Sequence, residues 1–272
     1  MAYAAFPAPS SLLQVQAVCR HGSRAPTTSY PTDPHGDLQW LNGRSNLVPA
    51  GVSDQIELGA FLWRRYGALL AADPCRDLCV VASDRNRTQE SARALLLGLF
   101  DGVLPEDGDF VLRLISQERC PRLLVGIAKE LHGTPEYRLT HAGVPNATAF
   151  ELVQVFDVLR TQRALGLRLP DWVERPLSAG GVTIYAGMER VFRLAFGAQG
   201  APALRRLSAG GLLRTLLNNA LLVNARAERR TPRVAVFAAH DTTLAALEAA
   251  LGLYRLPWLP TAVDQVKEAC RL

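Results

Sequence analysis

Eight residues, Cys19-Arg20-His21-Gly22-Ser23-Arg24-Ala25-Pro26, concentrate more chemistry than any other stretch of this chain. A histidine stands between two arginines and beside a glycine. The guanidiniums offer planar forks suited to phosphate or carboxylate oxygens. A cation beside an imidazole disfavours its protonated form, so His21 is expected to stay neutral and nucleophilic near and below neutral pH. The second such segment lies more than two hundred residues on, at Ala239-His240-Asp241-Thr242-Thr243. Asp, Thr and Thr are residue types that open helices, and a helix N-terminus favours an anion through its exposed N–H groups and its dipole. Either motif alone reads equally well as a surface turn or a plain helix cap.

The elements flanking both motifs give them a common setting. Leu12 to Val18 is a short apolar run that reads as a buried strand ahead of His21. Arg233 to Ala239 is another, ahead of His240, and Leu244 to Leu251 reads as the helix that follows. Both histidines are thus expected at the carboxyl ends of strands, where open α/β sheets hold their ligands. Between them the pattern alternates as in a βαβ core: a Pro/Asp-rich turn over Pro26–Asp37, helix Val52–Leu70, strand Leu78–Ala82 and helix Thr88–Phe100. The middle, about Cys120 to Val223, reads as mostly helical. Ala149–Leu165 carries apolar residues at helical spacing and is closed by Gly166, and Leu204–Leu222 is a second stretch interrupted by Gly210-Gly211. These apolar stripes are read as packing.

Taken together, the two motifs resemble the signature of the histidine acid phosphatases, which carry an R-H-G-x-R-x-P loop and a distal H-D pair. Further segments resemble the prostatic, testicular and lysosomal-type enzymes of animals. They are Ser29-Tyr30-Pro31-Thr32-Asp33-Pro34-His35, Gly51 to Tyr66, Ala82-Ser83-Asp84-Arg85-Asn86-Arg87-Thr88, Cys120-Pro121-Arg122 and Gly210-Gly211-Leu212. The likeness spans nearly the whole chain. It implies a phosphoglycerate-mutase-like α/β fold, a three-layer sandwich with a mostly helical cap insertion. One histidine phosphatase domain is expected over 1–272, with its core at about 10–115 and 230–272 and its cap at about 120–225.

The resemblance also implies a metal-independent acid phosphomonoesterase with no cofactor. His21 attacks phosphorus and forms a phosphohistidine, splitting one hard displacement into two easier ones. Arg20, Arg24 and Arg87 bind the phosphoryl oxygens, and His240 adds a further donor. Asp241 protonates the leaving oxygen, which favours acidic pH. Gly22 is expected to let backbone approach the phosphate. Ser23 and Asn86 stand where the resembled enzymes carry acids, which alters pocket charge. The expected partner is a small-molecule phosphate monoester, and by family habit a second copy of the chain. Two other outcomes stay open: a phytase or lysophospholipid phosphatase, and a family member that binds phosphate-bearing ligands without turnover.

Composition limits other function classes. The 272 residues are 49% hydrophobic, enough for a substantial core. Net charge is +5, but Lys129 and Lys267 are the two lysines, and the arginines are spread without a run. That argues against a nucleic-acid surface. No apolar stretch is long and charge-free enough to span a bilayer. The first ten residues lack the basic start and apolar core of a signal peptide, although the resembled enzymes act in the lysosome or outside the cell. Asn146-Ala147-Thr148 is the better of two glycosylation sequons, because Asn86-Arg87-Thr88 falls in the proposed site. Five cysteines cannot all pair. The resemblance gives Cys120 and Cys270 to disulfides. Cys75 and Cys79 are close enough in sequence for a tight local pair, and Cys19 is expected to be a buried small apolar residue. Relative to the resembled enzymes the chain is shorter between Phe100 and Cys120 and ends sooner after the H-D helix, which is expected to leave a sheet edge and apolar surface uncovered.

Overall fold

The computed structural model describes residues 11–70, 74–102, 113–115, 149–176, 181–198, 202–224 and 231–253. The expectations for Cys120, Cys270 and Asn146, and for the side chain of Cys75, lie outside them. Among the described residues the chain forms two compact units. One gathers residues 1–24, 46–118 and 211–244 and carries the sheet; the other gathers 25–45, 119–210 and 245–272.

The sheet is parallel throughout, in the order β1-β4-β2-β3, with β1 at Val15–Arg20, β2 at Leu78–Ser83, β3 at Arg113–Ile115 and β4 at Val234–Ala239. Central β4 reads Val-Ala-Val-Phe-Ala-Ala and every residue is buried, because a parallel strand covered on both faces has no polar side to keep. Its side chains alternate between two cores. Val234, Val236 and Ala238 join Val80 and Ala82 of β2 on one face. Ala235 and Phe237 join Val81 on the other.

Helix α1 (Pro49–Tyr66) and helix α3 (Asn86–Leu99) cover the first face through Leu62, Leu95, Leu96 and Leu99; the four-residue α2 (Pro74–Asp77) leads into β2. The helix Gly210–Asn224 covers the second through Leu212 and Leu216. Helix, sheet and helix make the three layers that the resemblance implied. Two glycines set how closely α1 and α3 approach. A Cβ on Gly59 falls 1.9 Å from the Leu95 carbonyl oxygen, and one on Gly98 falls 1.9 Å from that of Ile56. The helices therefore touch backbone to backbone, which no larger residue permits.

Several boundaries differ from expectation, each for a local reason. Strand β1 runs on to Arg20, and only Cys19 in it is buried, because β1 lies at an edge of the described sheet. Its Gln16 amide is instead tied to the Gly210–Asn224 helix, donating to the Leu216 carbonyl and accepting from Asn219, both at 2.9 Å. Helix α1 starts at Pro49, whose fixed φ and missing N–H suit the first helical position, and gives way to a 3₁₀ turn at Gly67–Leu69. The stretch over Leu204–Leu222, expected to be interrupted by Gly210-Gly211, is two helices, Pro202–Ser208 and Gly210–Asn224, divided one residue earlier at Ala209.

In the other unit, helices Ala149–Ala164 and Ile184–Ala198 pack around Leu152, Phe156, Leu159, Met188, Phe192 and Phe196. Gly166 closes the first of them at φ +75°, a left-handed turn that glycine adopts without strain. The Pro26–Asp37 turn is organised by Asp33. Its carboxylate accepts from Ser29 Oγ at 2.7 Å, the His35 N–H at 2.9 Å and Gln162 Nε2 at 2.8 Å. Partial burial raises its pKa, but these hydrogen bonds outweigh that and hold the carboxyl below its usual value.

Candidate active site

The site is set by register. Arg20 stands opposite Ala239 across the β1–β4 pair, so the next residue on each strand is a histidine. The ladder extends one step further, with the His21 N–H donating to the Ala239 carbonyl at 3.0 Å. The two rings consequently meet edge to face, their centroids 5.4 Å apart at 71°. On the other side of β4, Ala82 stands opposite Ala238, so β2 delivers Ser83 beside His240. Three neighbouring strand ends thus converge on one place. A slip of one residue in either pairing turns these side chains to opposite faces.

The loop after β1 is clamped from several directions. The Gly22 N–H donates to Ser91 Oγ at 2.9 Å, and Ser91 Oγ donates in turn to the Arg87 carbonyl at 2.6 Å. The Val48 N–H donates to the Ser23 carbonyl at 3.0 Å, and Arg24 bridges to Leu47. A Cβ on Gly22 falls 2.2 Å from the Gly51 carbonyl oxygen, and one on Gly51 falls 2.0 Å from that of Ser23. The space beside Gly22 is therefore taken by the start of α1, a packing reason for glycine at this position. Gln55 reaches from α1 to the Arg20 carbonyl at 3.4 Å.

Within this frame His21 is almost wholly buried, and its Nδ1 lies 2.8 Å from the Gly22 carbonyl. A carbonyl only accepts, so Nδ1 carries the proton and Nε2 keeps its lone pair. The imidazole titrates well below the ordinary histidine range, chiefly because burial penalises its charged form and secondarily because of the Arg20 charge. The expected neutrality of His21 thus has a larger cause than the neighbouring cation. His240 is likewise pushed down, to about 4, by burial first and Arg87 second. Arg87, in the first turn of α3, brings a guanidinium nitrogen to 3.4 Å from His240 Nδ1. Arg20 Nε pairs with Asp241 Oδ2 at 3.2 Å, at side-chain exposures of 14% and 20%.

The structure brings five of the six sequence-selected residues into mutual contact or pairing: Arg20 with Asp241, His21 with His240, and His240 with Arg87. The sixth, Arg24, is buried at the loop exit and placed there by its backbone bridge to Leu47. Asp241 is itself the first residue of the helix Asp241–Ala250, and the His240 carbonyl accepts from Thr243 and Leu244 in its first turn. Ser23 Oγ donates to Asp54 at 3.3 Å and Asn86 Nδ2 to Asn46 at 3.0 Å, both in exposed hydrogen bonds. Sequence reasoning gave no role to Ser83, Thr88, Ser91 or Gln55, all buried. The one available signal was spacing, since Ser91 follows Arg87 by four residues and so shares its helix face.

A folded state that keeps both histidines neutral binds fewer protons than the unfolded chain between about pH 4 and 6.5. Stability of the ligand-free protein is therefore fully present above the unfolded histidine pKa and is lost as pH falls toward His240's own titration near 4. For His240 alone that is on the order of 3 kcal/mol. Urea midpoints at pH 7 and 4.5 measure the loss, and His240→Gln is expected to reduce it. The same pH dependence in both proteins contradicts the assignment.

Residues 11–121 match the model of the histidine phosphatase superfamily (branch 2). Mouse testicular acid phosphatase is 34% identical over 289 residues, covering 89% of this chain and 64% of that protein. Human lysosomal acid phosphatase is 30% identical over 290 residues, covering 95% and 67%. This chain thus spans about two thirds of the length of these relatives. Among solved structures, Citrobacter braakii phytase superposes with a TM-score of 0.59 at 21% identity, over 90% of this chain and 77% of its own. Hafnia alvei phytase in complex with tartrate gives 0.60 at 18%, over 92% and 78%. At those identities the phytases speak for the fold alone, whereas the acid phosphatases match nearly the whole chain in sequence. On that ground this chain belongs to branch 2 of the histidine phosphatase superfamily, the histidine acid phosphatases.

Proposed function

We propose that this chain hydrolyses phosphate monoesters through a phosphohistidine on His21. The observation that carries the reading is the fixed proton on His21: Nδ1 faces the Gly22 carbonyl, so the unprotonated Nε2 is the nucleophile. Nε2 forms a bond to phosphorus as the ester P–O bond breaks, and Asp241 gives its proton to the departing oxygen. Water then attacks phosphorus, returns a proton to Asp241, and frees His21 and inorganic phosphate. Arg20 and Arg87 neutralise charge on the transferring group, with Arg24 assigned to the same set and His240 as a further donor. Arg20 holds Asp241, and an incoming phosphoryl group competes for that guanidinium.

We further assign the chain one domain, a core at about 10–115 and 230–272 carrying a cap at about 120–225, and, from its relatives, a lysosomal or extracellular setting. Among the described residues no helix is long and apolar enough to cross a membrane. The test is turnover of p-nitrophenyl phosphate from pH 4 to 8 with EDTA present. Acid-favoured hydrolysis that resists EDTA supports the reading. A cooperatively folded protein without turnover overturns it in favour of a phosphate-binding family member.

A further inference from the structure

Behind His240 runs a chain of hydroxyl groups that the mechanism above does not use. His240 Nε2 lies 2.9 Å from Ser83 Oγ, and Ser83 Oγ lies 2.7 Å from Thr88 Oγ1. Thr88 Oγ1 in turn faces two backbone carbonyls, Arg85 at 2.7 Å and Ser83 at 3.1 Å. Thr88 is wholly buried and Ser83 nearly so, which keeps bulk water out of the chain.

The direction of this chain follows from what its ends can do. A carbonyl only accepts, so the single Thr88 hydroxyl proton points to a carbonyl. The Thr88 oxygen is then left to accept the Ser83 proton. The Ser83 lone pairs remain for the His240 Nε2–H and, at 3.5 Å, for the Arg85 N–H. The opposite side of the ring demands the same answer. Arg87 meets Nδ1 with a guanidinium that only donates, so Nδ1 offers a lone pair. Two independent constraints, on β2 with α3 and on Arg87, select one tautomer.

We propose that Ser83 and Thr88 are positioning residues that hold His240 as its Nε2–H tautomer, with Nδ1 as the nitrogen presented beside Arg87. The consequence rests on the function proposed above: Nδ1 accepts from a protonated phosphoryl oxygen or, once protonated itself, donates to a deprotonated one. In neither case does the ring turn, because Nε2–H stays on Ser83. A histidine without this relay loses that orientation and flips its proton to either nitrogen.

The proposal is tested on the ligand-free protein by long-range ¹H–¹⁵N NMR spectra of the histidine rings at pH 7. Five histidines are present, and His240 is identified by its absence in His240→Gln. The wild-type ring is expected to show a protonated Nε2 and an unprotonated Nδ1. Thr88→Val keeps the shape but removes the acceptor for Ser83, whose hydroxyl is then free to donate to Nε2. Signals of the Nδ1–H tautomer are expected to appear in that variant and to vanish in Thr88→Ser. In assays, Thr88→Val is expected to raise KM for p-nitrophenyl phosphate and the inhibition constant of inorganic phosphate about tenfold. The smaller change is expected in kcat. A wild-type ring with a protonated Nδ1 overturns the proposal, as does a folded Thr88→Val with an unchanged tautomer. If Thr88→Val does not fold, the wild-type spectrum decides. The tautomer is read without turnover, so an inactive protein with the expected spectrum refutes the phosphatase reading and leaves the relay standing.

Discussion

His21→Ala is expected to lower phosphomonoester turnover by about 10⁴-fold or more, the scale on which enzymes respond to loss of a covalent nucleophile. No other side chain of the site offers an unprotonated nitrogen fixed by backbone. His240 Nδ1 faces Arg87 and its Nε2 is committed to Ser83, so it does not substitute. The control is stability. The His21 side chain is buried and hydrogen-bonds through Nδ1, and its loss leaves the Gly22 carbonyl without that donor, a cost of about 1–3 kcal/mol. A cooperatively folded variant with no turnover is therefore the expected result. Rapid acid-free quenching with labelled substrate adds a second readout. The wild type is expected to trap a phosphoenzyme that is labile to acid and stable to base, as a phosphoramidate is, and the variant none. Retention of more than a tenth of wild-type activity sinks the phosphohistidine mechanism.

Asp241→Asn is expected to lower kcat by about 10²–10⁴-fold, the usual contribution of a positioned general acid. The loss is expected to depend on the leaving group. A p-nitrophenolate departs without much help, whereas the alkoxide of a phosphoserine needs its proton in the transition state. The variant is therefore expected to lose substantially more activity toward phosphoserine than toward p-nitrophenyl phosphate. Asparagine retains the size and one oxygen, so the Thr242 N–H that now bonds Asp241 Oδ1 at 3.0 Å still finds an acceptor. The ion pair with Arg20 is lost, and at 14% and 20% side-chain exposure that loss costs some stability, so a urea midpoint is measured beside the activity. Equal losses on both substrates point to Asp241 as a holder of Arg20 rather than as the acid.

Much of this was written in the order of residues. Apolar runs marked β1, β2 and β4, and helical spacing marked α1, α3 and the helix that opens at Asp241. The R-H-G and H-D motifs selected six site residues, because arginine forks, an imidazole and a carboxyl are the groups that phosphoryl transfer requires. Local patterns carried that information, since strand and helix periodicity and residue chemistry act over a few positions.

Other features depend on contacts between residues far apart in the chain. No local signal states that Arg20 stands opposite Ala239, yet that register alone brings His21 and His240 to 5.4 Å. The arginine neighbours predict a neutral His21, while burial, which only packing creates, is the larger cause. The Gly51 carbonyl of α1 leaves no room for a side chain at Gly22, and β1 is half-exposed because it falls at an edge of the described sheet. Ser83, Thr88 and Ser91 are common residue types with no pattern of their own. They acquire roles when β2 and α3 set their hydroxyls against His240 and Gly22. Residue order alone settles which chemical groups exist and which elements bear them. Folding settles which nitrogen of His21 and of His240 holds its proton, because that depends on the hydrogen-bond acceptor or donor placed beside each ring.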